Sequence, residues 1–421
     1  MDTKKSITLW RHSDFLKLWI GQTISELGSR ITREGLPYTA VLVLHAGPAQ
    51  MGVLAALSGI SVLVFGLAAG VWVDRLRRRP ILIGADVGRA LLLSTIPLAA
   101  LWHSLSMAQL YAVAALAGVL TVFFDVAYQT YLPSLVEPEQ LLEGNTRLTF
   151  SSTAAEIAGP GMTGVLVQLI TAPIAILLDA VSFLFSALMV SLIRKPEPQP
   201  VQHEHQNLWS ETMGGMQFIW SHPLLRPLAA RSVTFFFFMG PLASLYILYA
   251  IDVLHLQPAA LGIAIAMGGV GATFGTLVSG RVVRRFGLGR AFIGSAALSA
   301  IGTSLLPLAH GRPAAVMAFL LAQQLIGDFG MVIYFLNEMT LRQTVAPPHV
   351  LGRVNAAMQL MARGMIPLGA LAGGVLASWI GVRQTIAVSV VLTTLTMGLL
   401  IWSPVRKLRS FEDGVITSAG S

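Results

Sequence analysis

The chain repeats itself at half its length. Shifted by 210 positions, Leu9, Trp10 and His12 fall on Ile219, Trp220 and His222. Gly52, Gly70, Arg75 and Pro97 fall on Gly262, Gly280, Arg285 and Pro307 in the same way. So do Pro138, Leu141, Asn145, Gly159 and Gly164 on Pro348, Leu351, Asn355, Gly369 and Gly374, and none of these pairs needs a gap. The 421 residues therefore read as two equivalent halves.

What the halves are made of fixes their solvent. Hydrophobic residues supply 54% of the chain and charged ones 11%, against about 25% charged in a soluble domain, so a water-facing surface all round is excluded. Twelve apolar stretches are long enough to cross a hydrocarbon core as helices: 14–44, 49–73, 80–102, 107–133, 145–170, 173–194, 223–253, 258–283, 289–310, 313–340, 354–380 and 382–403. None alternates as a membrane barrel strand does. The expected fold class is an all-α integral membrane protein, with twelve transmembrane helices in two six-helix pseudo-symmetric bundles. Such a repeat in an apolar chain is the pattern of secondary transporters.

The net charge of +8 is a topology signal rather than a nucleic-acid one. Most Lys and Arg fall in alternate loops, including Arg75, Arg77, Arg78 and Arg79, while only Arg312 and Arg383 fall on the other side. By the positive-inside rule both termini are cytoplasmic and the chain is multi-pass in a bacterial-type inner membrane. With no cysteine, disulfides and cysteine metal sites are excluded. The N-terminus shows no cleavable signal. Instead, 3–17 reads as an amphipathic surface helix with Trp10 and Trp19 at the interface. Residues 1–194 form the first bundle, 195–221 a polar, proline-rich hinge followed by a second surface helix, 222–404 the second bundle and 405–421 a tail. His203 and His205 in the hinge are a weak metal signal.

Two motifs stand out. Gly66-x-x-x-Gly70-x-x-x-Asp74-Arg75-x-Arg77-Arg78-Arg79 joins spans two and three, where glycines permit close helix approach and Asp74 sits at a helix end suited to dipole capping. The second half carries a reduced copy, Gly280 to Arg285. In span five, Ala155-Glu156-Ile157-Ala158-Gly159-Pro160-Gly161-Met162-Thr163-Gly164 combines a proline kink with small neighbours; a simple packing kink is the competing reading. The first string resembles the cytoplasmic loop signature of the major facilitator superfamily, and the second is similar to its antiporter motif around Gly159, Pro160 and Gly164. Phe15 to Ser29 and Tyr131 to Asn145 resemble the branch that includes the enterobactin exporter and macrolide efflux proteins. The resemblance implies a central cavity lined by spans one, four, seven and ten. Many proton-coupled relatives carry an arginine in span four, and Leu110 to Gly118 has none.

Ionisable groups in a bilayer are costly and mark function. Glu26, Arg30, Arg33 and Glu34 lie in span one, Asp125 in four, Glu156 in five, Arg231 in seven, Asp328 in ten and Arg363 in eleven. Under the shift, Glu26 meets Phe236, Arg30 meets Gly240 and Asp125 meets Phe335. Features that the shared fold needs recur, whereas these charges do not. Glu26, Arg30 and Glu34 share a helix face and can neutralise one another, and Arg33 with Glu34 reads as local pairing. Asp125, with no basic residue within a turn, is a candidate for proton exchange, as is Asp328. Gln129 and Tyr246 join the candidate substrate contacts. Asp179 and Arg89 read as interfacial.

The expected function is export of a bulky apolar or amphipathic small molecule by alternating access. The proton serves as coupling ion, with no other cofactor, no metal and no nucleotide-binding loop. The expected partners are the substrate and the lipid bilayer, with no nucleic acid, in a monomer. A lysophospholipid flippase or an importer is the nearer rival and a membrane receptor the remote one. An enzyme is disfavoured for want of a nucleophile and base pair.

Overall fold

The computed structural model describes residues 9–197 and 208–413, without the side chains of residues 67, 68, 71, 74, 208 and 209. His203 and His205 lie outside these residues. Every regular element among the described residues is helical. The first half comprises α1 (Ser13–Leu42), α2 (Pro48–Arg75), α3 (Arg78–Leu101), α4 (Met107–Leu135), α5 (Leu141–Ile170) and α6 (Ala172–Ser191). The surface helix is α7 (Leu208–Ser221). Then come α8 (Leu225–Leu248), α9 (Pro258–Phe286), α10 (Leu288–Leu308), α11 (Pro313–Val345), α12 (Pro348–Arg363), α13 (Met365–Ile380), α14 (Val382–Leu395) and α15 (Gly398–Ile401).

Among the described residues, ten helical stretches are long and apolar enough to cross a membrane. The remaining two expected spans are α1 and α5, each 30 residues, or about 45 Å at 1.5 Å per residue. α1 carries six Asp, Glu, Lys or Arg residues and α5 three. Spans eleven and twelve are broken helices: Gly364 interrupts α12 and α13, and Thr396 and Met397 separate α14 from α15. The expected surface helix over 3–17 is not what residues 9–17 form. Leu9–Arg11 is one 3-10 turn and α1 already begins at Ser13, because His12 caps it there; residues 3–8 lie outside the described part. Trp10 meets Trp19 edge-on at 5.3 Å.

The chain divides into two compact units, residues 1–45 with 60–204 and residues 46–59 with 205–421. Within the first, α1 packs on α5 and α6, and α3 on α4 and α6. Within the second, α8 packs on α13 and α14, and α10 on α11 and α14. These are the same neighbours under the 210-residue shift. The repeat reaches single atoms. His12 Nδ1 accepts the Phe15 N–H at 3.1 Å, and His222 Nδ1 accepts from Leu224 and Leu225 at 3.2 and 3.4 Å. His45 and His255 both take a left-handed backbone, with φ of 50° and 53°. Thr171 does so at 77° where its counterpart is Gly381 at 92°.

Burial lowers the pKa of His222, which keeps its Nδ1 lone pair free for the cap. Protonation removes that acceptor. Because the folded pKa lies below the unfolded one, the stability is present above about pH 6.5 and is lost as pH falls below it. His222→Asn, which keeps an acceptor but cannot titrate, should match the native chain at pH 8. It should become the more stable of the two below about pH 6.5, read as thermal unfolding of detergent-solubilised protein. A difference that is constant with pH would refute the cap.

Candidate functional site

The charges of α1 and α5 form one ladder inside the first unit. Arg30 Nη1 lies 2.6 Å from Glu156 Oε2, and its Nη2 lies 3.8 Å from Glu26. Arg33 reaches Glu156 at 3.3 Å and Glu34 at 3.9 Å. Three carboxylates thus share two guanidinium groups, leaving one negative charge in excess. The expected pairing along α1 alone is corrected in part. Arg30 spends its best contact on α5, and Glu34 pairs with Arg33 instead of Arg30. Of the two partners of Arg30, Glu26 has the weaker hold.

Gly159 explains why the ladder spans two helices. A Cβ at Gly159 would lie 2.5 and 2.6 Å from Cβ and Cγ of Arg30, so only glycine lets the Arg30 stem lie across α5 and bring its head to Glu156. One turn on, Thr163 donates to the Gly159 carbonyl at 2.8 Å, beside the buried Pro160 and Gly164. In the second unit the equivalent crossing of α8 on α13 is glycine on glycine. A Cβ at Gly240 would meet Ala370 N and Ile366 O at 2.6 Å.

Glu26 also lines a cavity of about 250 Å³ with Gln22, Thr23, Tyr128, Gln129 and Asn145. It joins α1, α4 and α5 through polar groups against apolar walls. Gln129 and Asp125 lie four residues apart on α4 and so share a face; both are exposed. Tyr128 stacks on Phe124 at 5.9 Å.

Arg89 and Asp179 are not interfacial. They are 4% and 0% exposed inside the first unit, where each has partners. Arg89 pairs with Asp86 and lies between the rings of Phe124 and Phe183, 4.3 and 4.0 Å from their centroids. Asp179 accepts from Ser182 at 2.9 Å. Asp86 was missed, although an acid three residues before a base within an apolar helix is a readable pair.

In the second unit the candidates are dispersed. Tyr246 donates to Gln323 at 3.1 Å, and Gln323 to Gln324 at 3.4 Å, a polar row running toward Asp328, which lies against Gly268. Arg231 is buried over Tyr334 at 3.7 Å. Glu338 and Arg342, unmarked in the sequence reading as a buried pair, lie 3.1 Å apart. Arg363 ends α12 at the break and is exposed.

The loop motif behaves differently from expectation. Nothing described lies within 4 Å of a Cβ placed at Gly66 or Gly70, so close helix approach is carried by other glycines. Asp74 lies outside the described side chains, and Arg75 is exposed. Arg78 and Arg79 donate their backbone N–H groups to Glu197 at 2.6 and 3.2 Å, and Arg79 also bonds the Ser191 carbonyl. Arg78 Nε donates to Thr130 at 3.1 Å. Glu197 therefore caps α3, so the start of the expected flexible hinge is docked. Lys195 N, which donates to Asp14 at 2.9 Å, holds it too. Arg285 lies in a separate basic cavity of the second unit.

A multi-pass helical protein, duplicated down to its caps, with a charge ladder and a polar cavity on its spanning helices, has the build of a membrane transporter. The chain belongs to the Major Facilitator Superfamily, whose family model matches residues 18–370. It is 27% identical over 376 residues to the multidrug efflux pump Tap of Mycolicibacterium fortuitum, covering 85% of this chain and 88% of that one. It is 24% identical over 374 residues to macrolide efflux protein A of Streptococcus pyogenes, covering 88% and 91%. In fold it is similar to a crystal structure of a variant of the nucleoside transporter NupG. That match has a TM-score of 0.77 and 11% identity over 92% of this chain and 99% of the other. The bilayer and a small-molecule solute are accordingly its partners.

Proposed function

We propose that this transporter exports a bulky apolar or amphipathic small molecule, of the drug or siderophore kind, by alternating access in exchange for protons. Glu26 carries the reading. It sits where solute and proton compete, lining the polar cavity while holding Arg30 only at 3.8 Å. Protonating Glu26 neutralises the excess charge of the ladder and leaves Arg30 to Glu156. Asp125, exposed on the face it shares with Gln129, is the second carrier. The efflux names of the relatives support the outward direction. The protein works as a monomer in the inner membrane, both termini cytoplasmic, with the proton as its only coupling ion, no resident cofactor and no nucleic-acid partner.

The test is proton release from energised inside-out vesicles, followed with a quinacrine-type dye, on adding macrolides, siderophores and lipophilic cations in turn. Alkalinisation with one class is the expected result. Silence toward all three, with the protein shown to be in the vesicles, overturns proton-coupled export and favours lipid flipping.

A further inference from the structure

The second unit carries a cavity of about 1030 Å³ that the transport reading does not use. Six cations line it: Arg284, Arg285 and Arg290 from the α9–α10 corner, and Arg406, Lys407 and Arg409 from the segment after α15. Their meeting is built into the backbone. Leu288 and Gly289 donate their N–H groups to the carbonyls of Arg409 and Leu408 at 3.1 and 2.8 Å. A Cβ at Gly289 would fall on the Arg406 carbonyl. Val405 and Leu408 anchor the same segment in the core, 1% and 6% exposed. Two backbone hydrogen bonds, one glycine and two buried side chains thus bring six like charges together.

None of the six forms an ion pair among the described residues. A carboxylate beside the tail, Asp413, accepts the backbone N–H groups of Arg409 and Ser410 at 2.8 and 3.1 Å. The cavity floor is polar and buried: Asn337 and Ser279, 4% and 6% exposed, are joined by a 3.2 Å hydrogen bond. Its rim is apolar. Phe286 and Leu336 line it at 54% and 37% exposure.

We propose that this cavity binds the headgroup of an anionic phospholipid from the cytoplasmic leaflet. The phosphate lies among the six cations and the acyl chains against Phe286 and Leu336 at the rim. Basic residues at the cytoplasmic end of membrane helices attract anionic lipid at this depth. The exposed apolar rim at Phe286 and Leu336 favours a lipid over a free phosphorylated solute, which has no use for it. A zwitterionic headgroup leaves the charge uncompensated.

The full-length protein in mild detergent is titrated with phosphatidylglycerol, cardiolipin, phosphatidylcholine or inorganic phosphate, and retained lipid is read by native mass spectrometry. The two anionic lipids should be retained in preference to phosphatidylcholine, and millimolar phosphate should not displace them. At about five-fold per arginine, Arg406→Gln with Arg409→Gln should weaken retention about thirty-fold. Arg290→Gln, on α10 rather than the tail, should weaken it about five-fold. Arg194→Gln with Arg226→Gln, which removes equal charge outside the cavity, should leave it unchanged. Equal losses in the two double variants, or displacement by phosphate alone, would overturn the proposal.

Discussion

Glu26→Gln should abolish uphill export while leaving the protein inserted and able to equilibrate its solute. Glutamine fills the same volume and mimics the protonated acid permanently, so Arg30 stays with Glu156 at its 2.6 Å contact and the ladder is neutral in every step of the cycle. Without a charge to gain and lose, the site cannot draw on the membrane potential. One elementary charge moved through 100 mV supplies about 2.3 kcal/mol, enough to hold a concentration ratio of roughly fifty-fold at 1.36 kcal/mol per decade. That factor is what the variant should lose, measured as steady-state accumulation in energised vesicles, with solute counterflow retained. Asp125→Asn, one turn from Gln129, should also abolish uphill export. Accumulation at the native ratio in both variants would remove the coupling assignment from this cavity.

The repeat made the fold legible because duplicated folds keep the residues that backbones touch. Gly159 and Gly369 recur since both lie at a helix crossing, and His12 and His222 recur since both close the first turn of a helix. What departed from the repeat marked the charge ladder: Arg30 stands where the second half has Gly240. Pairings between helices were not legible. Spacing on α1 makes Glu26, Arg30 and Glu34 neighbours, and nothing in the sequence says that Glu156, 126 positions further on, will take the best contact. The same blindness hid Glu197, whose place in a polar linker suggested a free hinge until Arg78 and Arg79 were seen to donate to it. Glycine spacing at Gly66 and Gly70 suggested contact where none is found among the described residues, because a small residue permits an approach without requiring one.

Exchanging the two residues that break the repeat separates fold from function. Gly240→Arg should destroy the second unit. Its Cβ alone would sit 2.6 Å from the Ala370 nitrogen and the Ile366 carbonyl oxygen, and 2.7 Å from the Gly369 carbonyl carbon. These are backbone atoms that no rotamer change can move, so α8 and α13 must part, at a cost of about 3 kcal/mol or more before the buried guanidinium is counted. The expected result is protein that fails to accumulate in the membrane or unfolds at once in detergent. The reverse change, Arg30→Gly, only makes the α1–α5 crossing resemble its sound counterpart. It costs about 1 kcal/mol of helix propensity and leaves Glu156 with Arg33 at 3.3 Å, so the protein should insert and survive purification. Its transport should fall to background, because Glu26 then has no partner to release. Were Arg30→Gly to unfold as readily as Gly240→Arg, the ladder would be a structural strut. The two halves would then differ in how they are held together rather than in what they do.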